Sequence, residues 1–195
     1  MMSMGVAFAL ALGFHLLASD ALAFYEPDGF RGIKWGTPLA EAQQMLKALH
    51  ARRVLVGDEP SCDSAQASGR LPDSTVCVAS TDIDSARVKL YFEFYEDRFV
   101  AVTVLSTPTS YATLKRGFIS RYGSPTRADK KQKIGPFSEY TSEELLWEGP
   151  MVQIKLSQHV GGLTFTVAVI ALRAEIARQE AEQKKSMDPA LEPRK

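Results

Sequence analysis

The sequence predicts an α+β fold built as a pseudo-repeat: a helix plus a three-stranded antiparallel sheet, twice over, with the helices packed on one sheet face and a C-terminal helix after them. Three observations carry this expectation. Two segments that open at Thr37-Pro38 and Thr107-Pro108 repeat apolar residues at helical spacing. Several others alternate apolar and polar residues with period two. Clusters of Gly, Pro, Asp and Ser separate them.

Residues 1–23 contain no Lys, Arg or Glu, and Val6 to Ala18 is apolar except for His15. This is the profile of a signal-peptide core, too short to span a bilayer. Ala21-Leu22-Ala23 supplies a small-x-small cleavage site, which places the mature N-terminus at Phe24 and the protein in the periplasm. Removing that segment takes away Asp20 and no base. The balance of 23 Lys+Arg against 23 Asp+Glu then becomes 23 against 22, a formal charge of +1, so no nucleic-acid partner is expected. The remaining stretch of about 170 residues suits one domain, and no later segment is apolar enough for a transmembrane helix. The only cysteines are Cys62 and Cys77. In an oxidising compartment such a pair is expected to form a disulfide, and its spacing fits neither a redox CxxC motif nor a zinc site.

In the first half-repeat, residues 24–106, Thr37 reads as an N-cap with Pro38 at the first helical position. Leu39, Ala42, Leu46 and Leu49 then form an apolar stripe running to about His50. Gly57 to Ser74 reads as a loop, followed by a short strand around Val76 to Ser80. Val88, Leu90, Phe92 and Phe94 alternate with Lys89, Tyr91, Glu93 and Tyr95, and the return strand runs from Phe99 to Ser106. A three-residue turn, Glu96-Asp97-Arg98, is expected, because it would pair Tyr95 with Phe99 and bring Val100, Val102 and Val104 to the face of Phe92 and Phe94.

The second half-repeat, residues 107–170, begins with a helix whose buried stripe is Tyr111, Leu114, Phe118 and Tyr122, ended by Gly123 and Pro125. Residues 124–142 read as a polar loop. Strands are expected over Glu144 to Glu148, Val152 to Gln158 and Leu163 to Ile170, with Val152, Ile154 and Leu156 opposite Val169, Val167 and Phe165. The reverse face, with Gln153, Lys155, Ser157, Thr164 and Thr166, would then be polar. Residues 171–195 supply a helix over Ala171 to Ser186 and a disordered tail.

The stretch Gly29-Phe30-Arg31-Gly32-Ile33-Lys34-Trp35-Gly36-Thr37, the hairpin ending Asp97-Arg98-Phe99, and Arg121-Tyr122-Gly123-Ser124-Pro125 together resemble small uncharacterised periplasmic proteins of Gram-negative bacteria. The repeated plan is also similar to the beta-lactamase-inhibitor protein and to the SmpA/OmlA outer-membrane assembly lipoproteins. Those two families bind other proteins, so the resemblance implies a binding role. Unlike the second family, this chain lacks a lipidated N-terminal Cys.

No residue pattern points firmly to catalysis, and neither a metal nor a cofactor is expected. His50 and His159 have no sequence partner, and Ser157 lies outside any G-x-S-x-G elbow. Asp82 and Asp84 lack the other ligands of a calcium loop. Glu143 and Glu144 should point to opposite faces of a strand. The basic run Arg127 to Lys133 reads as a solvated loop, and Trp35 and Trp147 as core or helix-entry residues. The strongest functional signal is the face displaying Lys89, Tyr91, Glu93 and Tyr95, since aromatics mixed with charges are enriched at protein interfaces. The alternative structural role for these tyrosines is burial under a second layer, such as the C-terminal helix. The reading is a non-enzymatic periplasmic binding module for a protein or envelope component. The alternative is an envelope hydrolase or lipid-handling protein with a pocket between the half-repeats, built on Ser157, His159 and a carboxylate.

Overall fold

The apolar alternation along the central strands produces a single eight-stranded antiparallel sheet in a computed structural model that describes residues 24–64, 74–134, 139–161 and 164–187. Residues 1–23, where a signal peptide is expected, and the tail beyond Met187 lie outside the described residues, as does the centre of the expected loop over Gly57 to Ser74. The elements run β1 (Gly29–Phe30), β2 (Ile33–Lys34), α1 (Leu39–Ala51), β3 (Val56–Ser64), β4 (Ser74–Ile83), β5 (Ala86–Tyr95) and β6 (Arg98–Ser106). They continue with α2 (Tyr111–Tyr122), β7 (Arg127–Ile134), β8 (Glu139–Glu148), β9 (Val152–Val160), β10 (Phe165–Leu172) and α3 (Arg173–Met187). Strand order is β3-β4-β5-β6-β10-β9-β8-β7, with β1 and β2 as a separate hairpin. Four strands, not the expected three, therefore follow each of α1 and α2.

The additional strands are the sheet edges, and their composition explains why they read as loops. β3 carries Pro60 and several acidic or small residues, and β7 is the charged run Arg127 to Lys133. An edge strand needs backbone pairing on one side only, and charges or proline on it discourage pairing with another chain. β7 pairs with β8 from Arg127↔Leu146 to Ile134↔Glu139. At the other edge Cys62 and Cys77 are direct cross-strand partners, joined by a disulfide across a sequence separation of 15. The chain-entropy model assigns such a closure about 3 kcal/mol.

Turn geometry corrects both hairpin registers. Tyr95 pairs with Arg98, not Phe99, because the turn is the two residues Glu96 and Asp97, at φ 47° and 63°, the left-handed pair of a type I′ hairpin. A bulge at Val100 then shifts the phase, so that Phe94 faces Phe99 while Phe92 faces Val102. Val102 and Val104 thus reach the expected face, and Val100 does not. In the last hairpin Ile154 pairs with Ile170 and Leu156 with Ala168, so Val167 and Val169 lie on the opposite face from the one expected. Thr166 is likewise inside, fully buried, with its hydroxyl donating to the Gln158 carbonyl at 2.9 Å.

The inner face is continuous across both groups of strands. Cys77, Phe92, Val102, Ile170, Ile154 and Trp147 follow one another through the strand pairings, as do Ala79, Leu90, Val104, Ala168, Leu156 and Leu145. All of these are buried, in one cluster with Ala42 and Leu46 of α1 and with the expected stripe Tyr111, Leu114, Phe118 and Tyr122 of α2. Removing this apolar surface from water is the main stabilising term. Trp147 is fully buried and its indole N–H donates to the Gly123 carbonyl at 2.8 Å; Trp35 stacks on Phe99 with ring centroids 4.8 Å apart.

Helix α1 begins one residue later than expected. Pro38, extended at ψ 146°, occupies the N-cap position, and Thr37 makes no side-chain cap. The first orphan amide is satisfied from outside the helix: Leu39 N–H donates to the Asp97 carbonyl at 3.1 Å, in the β5–β6 turn. At the far side of the sheet the Glu26 carboxylate accepts from the Met151 and Val152 amides. A Cβ at Gly149 would meet that carboxylate and the Phe24 ring, so a larger residue there would have to displace both side chains.

Helix α2 is fastened to β8 by the Glu143 carboxylate, which accepts from the Tyr111 hydroxyl and the Lys115 ammonium, each at 2.6 Å. Partial burial opposes ionisation of Glu143, but the hydrogen bonds from Lys115 and Tyr111 outweigh it and hold its pKa below the ordinary carboxylate value. A carboxylate with a depressed pKa stabilises the fold above its unfolded pKa of about 4.3, and that contribution is lost as pH falls through the folded value. Glu143→Gln is therefore expected to lower the urea midpoint at pH 7, with the gap from wild type closing as the pH is taken below 4.

Candidate functional site

The outer face of the sheet brings the residues expected at a binding surface into register. Lys89, Tyr91, Glu93 and Tyr95 all lie on it, alternating with the buried Val88, Leu90, Phe92 and Phe94 of β5. Three rows cross this face through the strand pairings. One runs Ser80, Lys89, Leu105, Val167, Ser157 and Glu144. The next runs Val78, Tyr91, Thr103, Val169, Lys155 and Leu146. The third runs Val76, Glu93, Ala101, Ala171, Gln153 and Glu148.

The third row is covered at its centre. Ala101 and Ala171 pair directly and are each only 2% exposed, although no strand residue projects over them. The cover is α3, which leaves the end of β10 and turns across this face. Its Glu175 is buried, and its Arg178 guanidinium lies 3.5 Å from the centre of the Tyr95 ring, a cation–π contact worth about 0.5–2 kcal/mol. Glu175 and Glu182 hold the guanidinium over the ring by ion pairs, the second at 2.8 Å. These hydrogen bonds also raise the Arg178 pKa against the opposing effect of burial. Tyr95 is thus under the C-terminal helix.

The other two rows remain partly exposed. Tyr91, Thr103, Leu105, Val167 and Val169 are half-buried, while Lys89 and Lys155 are exposed. The Lys89 ammonium lies 5.7 Å from the Tyr91 ring centre, and Glu93 accepts from the Thr103 hydroxyl at 2.9 Å. Lys155 pairs with Glu144 at 3.0 Å. The result is a strip of Leu105, Val167 and Val169 with Tyr91 beside it and charges of both signs around it. Sequence reasoning placed Val167 and Val169 in the core and so missed this strip. The available signal was the run Phe165 to Leu172, apolar at nearly every position, which marks a strand with two apolar faces.

The residues weighed for chemistry are spread among structural contacts. The Ser157 hydroxyl donates to Glu144 at 3.3 Å, and the His159 ring packs edge-on against Tyr140, centroids 5.3 Å apart. His50 Nε2 lies 3.0 Å from the Gly57 carbonyl. Glu143 and Glu144 bond to partners on opposite faces, and Asp82 pairs with Arg87 at 2.5 Å. Among the described residues no three His, Cys, Asp or Glu side chains are grouped to hold a metal ion, and no helix is long and apolar enough to cross a membrane.

The fold and this surface together define an α+β protein with one eight-stranded antiparallel sheet and a partly open outer face. No family model, curated protein or solved structure matches the chain.

The ion pairs and the Tyr95 contact make Arg178 the fastening of α3. Arg178→Ala is expected to leave the sheet intact and to speed tryptic cleavage within α3, measured as the rate of loss of the full-length band; an unchanged rate would show that α3 is held by something else.

Proposed function

We propose that the mature chain is a non-enzymatic binding module of the periplasm that recognises a protein through the open part of its outer sheet face. The observation that carries this reading is the strip Leu105, Val167 and Val169 beside Tyr91, left half-exposed on three central strands while α3 covers only the neighbouring row. An apolar centre with an aromatic residue and a charged rim is the anatomy of a protein interface. Placing it on central strands fixes the side chains before binding, which lowers the ordering cost. Export is supported by the composition of residues 1–23 and agrees with the Cys62–Cys77 disulfide. The order of one helix and four strands, occurring twice, supports an origin by duplication. The Ser157 contact with Glu144 gives no support to a hydrolytic pocket.

Affinity capture from periplasmic and membrane extracts with the tagged mature chain tests the reading. Wild type is expected to retain a stoichiometric protein. Tyr91→Ala should weaken its binding by at least about 30-fold, the effect of losing a hot-spot side chain worth about 2 kcal/mol. Val169→Lys should abolish it, with the thermal unfolding of both variants serving as the fold control. A partner held equally by folded Tyr91→Ala and Val169→Lys variants would overturn the assignment of this face.

A further inference from the structure

On the opposite side of the molecule from α3's cover of the sheet, two arginines distant in sequence line the same two grooves. Arg31 stands in the tight turn between β1 and β2, at φ 53°, and Arg121 in the last turn of α2. A groove of about 400 Å³ is lined by both, together with Arg116, Ser120 and the acidic Asp82 and Asp84. A second groove, of about 480 Å³, shares Arg31 and Arg121 and extends past Tyr122, Lys34, Asp28 and Glu26. Arg31 and Arg121 are the lining residues common to both grooves, and the position between the two arginines is taken as the junction.

We propose that this junction is a binding site for a phosphate group, gripped between the guanidinium groups of Arg31 and Arg121. Among the described residues no carboxylate lies within 4.0 Å of Arg31 or Arg121, nor of Arg116 in the first groove; Arg31 and Arg121 differ from Arg116 in lining both grooves. Two of the lining carboxylates are engaged elsewhere: Asp82 with Arg87, and Glu26 with the Met151 and Val152 amides. Asp84 lies against the backbone of α2 at Gly117, and Asp28 lines only the second groove.

Arg31 is held in place before any ligand arrives. Its Nη2 donates to Thr81 Oγ1 at 3.3 Å and to the Asp82 carbonyl at 3.0 Å, and Thr81 in turn donates to the Val54 carbonyl. Partial burial and the nearby Arg121 charge both disfavour its protonated form. The Arg121 guanidinium lies 5.8 Å from the centre of the Tyr122 ring, and Tyr122 lines the second groove with both arginines; the two guanidinium charges oppose the rise that burial gives the Tyr122 phenol's pKa. Like charges brought together at a partly desolvated position are stabilised by an anion placed between them. A carboxylate is satisfied by one guanidinium fork; a tetrahedral phosphate has enough oxygens, and enough charge, to engage two.

Thermal unfolding of the full mature chain in inorganic phosphate, against chloride at equal ionic strength, tests the site. Phosphate is expected to raise the wild-type midpoint in a saturable way. Arg121→Gln should weaken that response at least 10-fold, with the midpoint of each protein in chloride serving as its own reference. Arg121→Lys, which keeps the charge and loses the fork, should respond in between. Co-sedimentation with phosphatidylglycerol and phosphatidylcholine vesicles, for wild type and Arg121→Gln, separates the sources. Saturation by free phosphate alone supports a soluble phosphate ligand; Arg121-dependent retention on vesicles supports a lipid headgroup. Equal midpoints in phosphate and chloride with no Arg121-dependent vesicle binding would overturn the proposal, as would an undiminished phosphate response in Arg121→Gln.

Discussion

The antiparallel ladder between β6 and β10 is the contact on which the rest of the molecule depends. It sets Val104 beside Ala168 and Val102 beside Ile170, and so joins the inner faces of the first and last four strands into one apolar surface. A four-stranded sheet covered by a single helix buries little, and small cores are marginal. The fused sheet instead shares one core with α1 and α2. The same ladder builds the outer face, because pairing Leu105 with Val167 and Thr103 with Val169 puts side chains contributed by the two groups of four strands next to each other. Core and candidate interface are two sides of one register.

Much of the interior was legible from periodicity. The α2 stripe and the alternating β5 residues are buried as their spacing requires, because burial itself imposes those periods. The edge strands β3 and β7 were not legible, since they are held by backbone pairing and a disulfide and carry few apolar residues. Register was only partly legible. The choice of a three-residue turn after Tyr95 correctly demanded that Val102 and Val104 face Phe92. The chain meets that demand with a two-residue turn and a bulge at Val100, a combination with no simple signature. The N-cap at Thr37 failed for a similar reason: a tertiary contact with Asp97 replaces the local cap.

The candidate site was legible in position but not in extent. Alternation along β5 correctly puts Lys89, Tyr91, Glu93 and Tyr95 on the face opposite Phe92, but nothing local to Tyr95 indicates that Arg178 will lie on it. Val167 and Val169 entered the site only once the β9–β10 register was known, because a one-residue shift exchanges the faces of a strand. Arg31 and Arg121 could not be associated from sequence at all. Their proximity comes from packing the β1–β2 turn beside the end of α2, a purely tertiary event.

Native-state hydrogen exchange across the β6–β10 junction tests most directly whether the sheet is one cooperative unit. The account predicts that the amides pairing these strands, from Val102 to Val104 and from Ala168 to Ile170, exchange only through global unfolding and with the same free energy. Exchange of either group at a distinctly lower free energy, with the other four strands still protected, would show two independently unfolding halves and would contradict it.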